Sequence, residues 1–68
     1  MDRIHVNGRE ELLAAATVAD LLAARGIGTG TAAVAVALNG AVIRRGQWAD
    51  TPLRPGDELE IVRPFQGG

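Results

Sequence analysis

The sequence predicts an α+β fold in which one helix covers one face of a mixed β-sheet. Three observations carry this prediction: two Asn-Gly pairs that each follow a strand-like run, one capped helical segment between them, and an alternating strand near the end of the chain. An Asn-Gly pair is a strong hairpin signal, because a type I′ turn needs positive φ at both central residues. A single helix on one sheet face gives a two-layer α+β architecture.

The first hairpin is predicted around Asn7-Gly8. The preceding run, Arg3–Val6, alternates polar and apolar residues, as a half-buried strand does. The stretch that follows the turn, Arg9–Ala16, contains many residues of high helix propensity. Its place after a hairpin turn favours a return strand, and both strand and helix stay open for Leu12–Ala16.

The helix is predicted over Val18–Arg25. Thr17 precedes it as the N-cap, and Asp20 stands at the third helical position, a variant of the capping box near the positive end of the helix dipole. Gly26 follows as the C′ glycine, and Ile27 can make the hydrophobic contact of a Schellman ending. The apolar face of the helix consists of Val18, Leu21 and Leu22.

The next predicted strand, Ala33–Leu38, carries large side chains on one face and small ones on the other. The face expected to meet the helix has Val34, Val36 and Leu38, and the opposite face has Ala33, Ala35 and Ala37. Asn39-Gly40 is the second predicted turn, and Ala41–Ile43 is its short return strand.

The last third of the chain is predicted to be irregular before one final strand. One 3₁₀ turn is expected around Trp48, whose side chain we interpret as a packing residue. Pro55-Gly56-Asp57 is a turn signal, and Glu58–Arg63 follows as a strand. Inward and outward residues alternate along it: Leu59 and Ile61 point in, and Glu58, Glu60 and Val62 point out. If this strand pairs in parallel with the first, the helix supplies the crossover, which gives a β-grasp (ubiquitin-like) sheet of four to five strands.

The composition excludes several classes of function. The chain of 68 residues has no cysteine and one histidine, His5. Thiolate ligands are therefore absent, and we predict no metal site. Side-chain nucleophilic catalysis would lack its usual groups, so we expect a module that acts on, or through, a partner, and not an enzyme.

Charge and hydropathy point to a soluble partner-binding protein. The net charge of −1 argues against a nucleic-acid binder, which normally has a basic excess. No apolar run reaches the roughly 18 residues of a membrane span, and the beginning, MDRIHVNGREE, lacks the features of a secretory signal. We expect a cytoplasmic protein, monomeric when free, with neither nucleic acid nor membrane as partner.

Four segments together resemble the ThiS family of sulfur carriers in thiamin biosynthesis. They are VALNGAVIRRGQW (Val36–Trp48), PGDELEIV (Pro55–Val62), the capped TVADLL (Thr17–Leu22) and the final Gly67-Gly68. The turns are common in proteins, whereas the combination of all four segments, the final Gly-Gly included, is specific. The resemblance spans nearly the whole chain.

The resemblance implies a reaction at the C-terminal carboxylate of Gly68. A ThiF-like adenylyltransferase, similar to ubiquitin-activating enzymes, would use ATP and magnesium to adenylate it. A sulfur donor such as a cysteine desulfurase would then displace AMP and leave a thiocarboxylate, from which a ThiG-like thiazole synthase accepts sulfur. The carrier itself would bind no cofactor.

The chain is expected to divide into a β-grasp domain, residues 1–63, and a flexible Gly-Gly tail, residues 64–68. Glycine has no Cβ, so Gly67 and Gly68 can pass through a narrow channel, with Gln66 as spacer. Extended, the five residues after Arg63 reach about 17 Å. The predicted docking residues are Phe65, Val62, Ala35, Ala37 and Arg45, of which Ala35, Ala37 and Val62 form an apolar patch on the uncovered sheet face.

Three alternatives accompany this hypothesis. The first is a sulfur carrier for another pathway, of the molybdopterin-synthase small-subunit type or dedicated to a secondary metabolite. The second is a ubiquitin-like modifier, whose Gly-Gly end forms an amide bond with lysine. The third is a small RNA-binding module, which shares the VALNG and PLRPGDELEIV pattern but needs a basic helix; the helix here carries one Asp and one Arg.

Overall fold

The computed structural model describes residues 2–63, which form five strands, one α-helix and one 3₁₀ helix. In chain order these are β1 (Arg3–Val6), β2 (Arg9–Leu12), α1 (Val18–Ala24), β3 (Ala35–Leu38), β4 (Ala41–Val42), the 3₁₀ helix (Arg45–Asp50) and β5 (Glu58–Val62). This order agrees with the predicted sequence of elements, including the helical turn around Trp48.

The five strands form one mixed sheet in the order β2-β1-β5-β3-β4. At its centre β1 and β5 run parallel, with His5 opposite Glu58, and β5 runs antiparallel to β3, with Leu59 opposite Leu38. The two outer pairs are the antiparallel hairpins β1–β2 and β3–β4. Since the helix lies in the connection between the two hairpins, the predicted β-grasp architecture is confirmed.

Both Asn-Gly turns have the predicted backbone. Asn7 and Gly8 have φ of 52° and 81°, and Asn39 and Gly40 have φ of 51° and 85°. Positive φ at both central residues is the type I′ geometry, whose twist matches that of paired strands.

The helix begins at Val18 as the sequence predicts and ends at Ala24, one residue earlier than predicted, with Arg25 as its C-cap. The Thr17 hydroxyl accepts a hydrogen bond from the Asp20 N–H at 3.2 Å. At the other end the Ile27 N–H donates to the Leu22 carbonyl at 2.9 Å and the Gly26 N–H to the Ala23 carbonyl at 3.0 Å. This bond pair, with Gly26 at a φ of 78°, is a Schellman ending.

The core lies between α1 and one face of the sheet, closed at one side by the 3₁₀ helix, which packs against α1. Its buried residues are Ile4, Val6, Val18, Leu21, Leu22, Ile27, Val36, Trp48, Leu53 and Leu59. Trp48 is 1% exposed, and its indole Nε1–H donates to the Ile43 carbonyl at 3.1 Å. The interpretation of Trp48 as a packing residue is confirmed.

The structure corrects the bounds of three strands. β3 begins at Ala35, not at Ala33, because Ala33 has a φ of 56° and cannot continue an extended strand. β4 and β5 each end one residue earlier than predicted.

The open question at Leu12–Ala16 is also answered. β2 stops at Leu12, and residues 13–16 are neither strand nor helix. At the start of this segment the Leu13 N–H still donates a hydrogen bond to the Asp2 carbonyl, at 2.9 Å. At its end Thr17 forms an isolated β-bridge with Pro52. The chain has to leave the sheet here to reach the helix start.

Candidate functional site: the open face of the sheet

One face of the sheet is covered by α1 and the other, which we call the open face, is not covered by any element within residues 2–63. The alternation along β5 shows the difference between the two faces. Leu59 is 1% exposed against the helix, whereas Glu58 and Glu60 are exposed on the open face. Val62 belongs to the same face and is 59% exposed.

The structure brings together three of the predicted docking residues. Ala35 lies opposite Val62 in the β3–β5 register, and Ala37 lies two residues further along β3 on the same face. Ala37 in turn lies opposite Val42, which is 77% exposed. The apolar patch therefore consists of Ala35, Ala37, Val42 and Val62.

Val42 is a member of this patch that the sequence reasoning missed. The signal was present, because a two-residue turn at Asn39-Gly40 fixes the register of its hairpin. That register places Leu38 opposite Ala41 and Ala37 opposite Val42. Ala37 and Val42 had to share a face, and Ala37 was already assigned to the open one.

Arg45 lies at the edge of the patch, and its guanidinium makes two contacts within the domain. Its Nη1 donates to the Thr29 carbonyl at 2.8 Å, and its guanidinium carbon lies 5.2 Å from the centroid of the Trp48 ring. With Ala35 and Val62 it lines a shallow depression. The docking role of Arg45 stays a prediction, while the two contacts show a structural role that the sequence did not indicate.

Charged residues occupy the other half of the open face. His5 on β1 lies between Glu10 on β2 and Glu58 on β5 in the strand registers. Its Nδ1 atom is buried without a hydrogen-bond partner. Arg3, next to this group, is 3.7 Å from the Glu10 carboxylate. A protein docking on the open face would meet the apolar patch on one half and, apart from Leu12, mainly polar and charged side chains on the other.

The predicted tail residues Phe65, Gln66, Gly67 and Gly68 lie outside the described residues. In the sequence they follow β5, which ends at Val62, and the description ends at Arg63. Because Val62 is both the end of β5 and a member of the apolar patch, the patch borders the point where the chain leaves the sheet.

Residues 2–63 show neither a metal site nor a membrane-spanning helix. No three His, Asp or Glu side chains in this range are grouped so that they could hold a metal ion. The one α-helix in the same range has seven residues, far fewer than a bilayer requires.

Comparison with known families decides the class of protein. The model of the ThiS family matches residues 4–68. The chain belongs to the ThiS family. That match covers the domain and also residues 64–68, where the predicted reactive end lies.

Solved structures agree with this ThiS family membership. The crystal structure of the thiamine biosynthesis protein ThiS from Geobacter metallireducens is 30% identical, with a TM-score of 0.76 over 97% of this chain and 99% of that one. A solution NMR structure of a thiamine biosynthesis protein from the same organism is 33% identical, with a TM-score of 0.71 over 100% of this chain and 87% of that one. A search of curated proteins found no match.

Membership in the ThiS family and these neighbours support a sulfur-carrier role. The family consists of small carrier proteins, and it implies that the chain interacts with enzymes of the thiamine pathway.

Proposed function

We propose that this protein carries sulfur as a thiocarboxylate on Gly68 and donates it for thiazole formation in thiamin biosynthesis. The observation that carries the proposal is the ThiS family match, which runs from residue 4 through residue 68 and so includes Gly67-Gly68. The fold shared with thiamine biosynthesis proteins of solved structure also supports it.

The proposed chemistry starts from a carboxylate. An α-carboxyl group has a pKa of about 3.3–3.7, so it is an anion at neutral pH. Its oxygen attacks the α-phosphorus of ATP, pyrophosphate leaves, and an acyl-adenylate forms. The activating partner, a ThiF-like adenylyltransferase, holds ATP and magnesium and supplies the groups that stabilise phosphoryl charge.

Sulfur enters in the second step. Sulfide attacks the acyl carbon, AMP leaves, and the products are the thiocarboxylate, AMP and a proton. When the donor is the persulfide of a cysteine desulfurase, an acyl disulfide forms first, and a thiol must reduce it to release the thiocarboxylate. A ThiG-like thiazole synthase then accepts the sulfur.

The open face is the proposed docking surface for these enzymes. Ala35, Ala37, Val42 and Val62 supply a contiguous apolar area at the end of β5, with Arg45 at its edge. Phe65 follows this area in the sequence and is proposed to extend it. Gln66 and Gly67 then lead into the partner's active site, where glycine fits because it has no Cβ.

The decisive experiment is an intact-mass measurement after incubation with the cognate activating enzyme, ATP, magnesium and a sulfur source. We expect the mass increase that corresponds to one oxygen replaced by sulfur. Lysine conjugates would indicate the modifier instead, and an unchanged mass with a partner of proven activity would refute the carrier. Salt-sensitive RNA binding would support the RNA-binding alternative.

The substitution Gly68→Ala tests the proposed reactive residue. It adds one methyl group beside the reacting carbon, so we expect adenylation to fall at least about 100-fold, the scale of loss from small misplacements in active sites. The thermal midpoint should equal that of the wild type. ATP–pyrophosphate exchange measures the reaction, and a normal exchange rate with the Ala variant would contradict the proposed role.

A further inference from the structure

The asparagines of both Asn-Gly turns bind the backbone of β5, one at each end of the strand. At the end of the strand, the Asn7 Oδ1 accepts from the Ile61 N–H at 2.8 Å and its Nδ2 donates to the Ile61 carbonyl at 3.3 Å. At its start, the Asn39 Oδ1 accepts from the Glu58 N–H at 2.9 Å. A turn requires positive φ and does not require these contacts.

The Asn7 amide takes the place of a missing peptide group in the parallel β1–β5 ladder. The His5 N–H donates to the Asp57 carbonyl at 2.9 Å, and the Asn7 N–H donates to the Leu59 carbonyl at 2.9 Å. In a regular parallel ladder the Ile61 N–H would next bond the Asn7 carbonyl. That bond is not available, because Asn7 has a φ of 52° and its carbonyl belongs to the turn.

A primary amide has the same donor and acceptor as a peptide bond. The side-chain oxygen of Asn7 therefore replaces its own carbonyl, and the side-chain N–H replaces the next backbone donor. The β1–β5 register itself ends with Val6 opposite Leu59. These two side-chain bonds hold β5 on that side for two residues beyond the register, up to Ile61.

We propose that Asn7 is a positioning residue, which fixes the last part of β5 and so sets where residues 64–68 leave the domain. This inference rests on the proposed function, because it assigns Asn7 a part in presenting Gly68 to the activating enzyme. Ile61 directly precedes Val62 of the apolar patch. The Asn7 contacts therefore fix the docking surface and the start of the tail relative to each other.

Turn geometry alone does not explain the choice of asparagine at this position. Asp-Gly and Gly-Gly also form type I′ turns. Aspartate would keep the acceptor for the Ile61 N–H and would place a second carboxylate oxygen against the Ile61 carbonyl. Glycine would keep the positive φ and remove both bonds. Only asparagine supplies the acceptor and the donor together at positive φ.

The test compares Asn7→Gly with Asn39→Gly. Each variant keeps a residue that tolerates the positive φ of the turn. Asn7→Gly removes the side-chain bonds to the end of β5, and Asn39→Gly removes the side-chain bond to its start. Asn39→Gly also removes the hydrogen bond that Asn39 donates to the Asp57 carboxylate at 3.0 Å. In the Asn7 variant we expect the Ile61 amide to exchange hydrogen at least about tenfold faster, since it loses its acceptor. In the Asn39 variant that amide should keep its protection while the Glu58 amide loses it. Wild-type protection of Ile61 in the Asn7 variant would overturn the proposed contact.

The second measurement separates positioning from stability. With all proteins fully folded, we expect kcat/KM for adenylation to fall about tenfold in Asn7→Gly, because misplaced reacting groups lose rate steeply. The kcat/KM of Asn39→Gly should stay within about twofold of the wild-type value. The kcat/KM of Asn7→Asp should lie between those of the two glycine variants. Equal losses in the two glycine variants would mean general destabilisation and would overturn the positioning role.

An independent measurement covers the case in which the wild type itself is not adenylated by an active partner. That result would refute the proposed function. Nitrogen-15 relaxation at Val62 and Arg63 would then decide the positioning role. Lower order parameters in Asn7→Gly than in Asn39→Gly would support it, and equal values in both variants would overturn it.

Discussion

Trp48 contributes both packing and polar contacts to the small core. It is the largest of the fully buried side chains within residues 2–63 and fills the space between the 3₁₀ helix and α1. Its ring also supports the Arg45 guanidinium, which in turn holds the Thr29 carbonyl. The loop around Thr29 is thus tied to the core through Arg45 and the indole.

Trp48→Phe should destabilise the protein by about 2 kcal/mol, because it removes buried volume and leaves the Ile43 carbonyl without its donor. Chemical denaturation measures the free energy of unfolding. Val42→Thr is the control, since Val42 is 77% exposed and a surface change of this kind should stay within about 0.5 kcal/mol. Similar losses in both variants would contradict the role given to the indole.

Sequence reasoning worked at Trp48 and failed at Ala33 for a physical reason. A lone Trp in a small alanine-rich chain has few alternatives to burial. Ala33, by contrast, continues an Ala-Val alternation and carries no signal for its φ of 56°. Residues in the left-handed region are normally glycine or asparagine. The true start of β3 was therefore not predictable from residue type.

At the scale of elements, the helix ending depends on backbone conformation at a single glycine. Gly26 has a φ of 78°, whereas Gly28, two residues later, has no positive φ, and a Cβ at either position would meet no atom within 4 Å. The two sites therefore differ in conformation and not in available space.

Gly26→Ala should cost about 1–2 kcal/mol, the strain of placing an L-residue in the left-handed region. Gly28→Ala should leave stability unchanged or raise it by up to about 1 kcal/mol, because alanine restricts the unfolded chain. Thermal unfolding of both variants tests this. A loss in Gly28→Ala as large as that in Gly26→Ala would show that crowding matters, against the structure.

The elements were predictable where the signal is local. Caps, turns and alternation depend on neighbours in sequence, and Thr17, Gly26 and Asn39-Gly40 were assigned correctly. The contacts from Asn7 to Ile61 join residues that are 54 positions apart. No local pattern reports such a bond, so the second role of the turn asparagines required the structure.

For the whole molecule, the proposed docking surface on the open face is separate from the buried core that stabilises the fold. Its apolar patch is not part of the buried core, so a charge placed there should disturb docking and leave folding intact. Leu12, 48% exposed on the far side of the same face, is a matched apolar residue outside the patch.

Val62→Glu should weaken binding to the activating enzyme about tenfold, as expected for a charge in an apolar contact area. Leu12→Glu should bind within about twofold of the wild type, and both variants should unfold within about 0.5 kcal/mol of it. Isothermal titration with the cognate enzyme measures the affinity. If Leu12→Glu weakens binding as much as Val62→Glu does, the docking surface lies elsewhere or is wider than the patch.

The position of β5 also determines when the protein can fold during its synthesis. β5 is the middle strand of the sheet and joins the two hairpins, although within residues 2–63 it is the last strand to be synthesised. Before β5 has left the ribosome, no strand lies between β1 and β3, so the sheet that the helix covers is incomplete. A chain interrupted before Glu58 lacks the strand that joins the two hairpins and cannot form this sheet. The sheet can therefore be completed only after β5 has been synthesised.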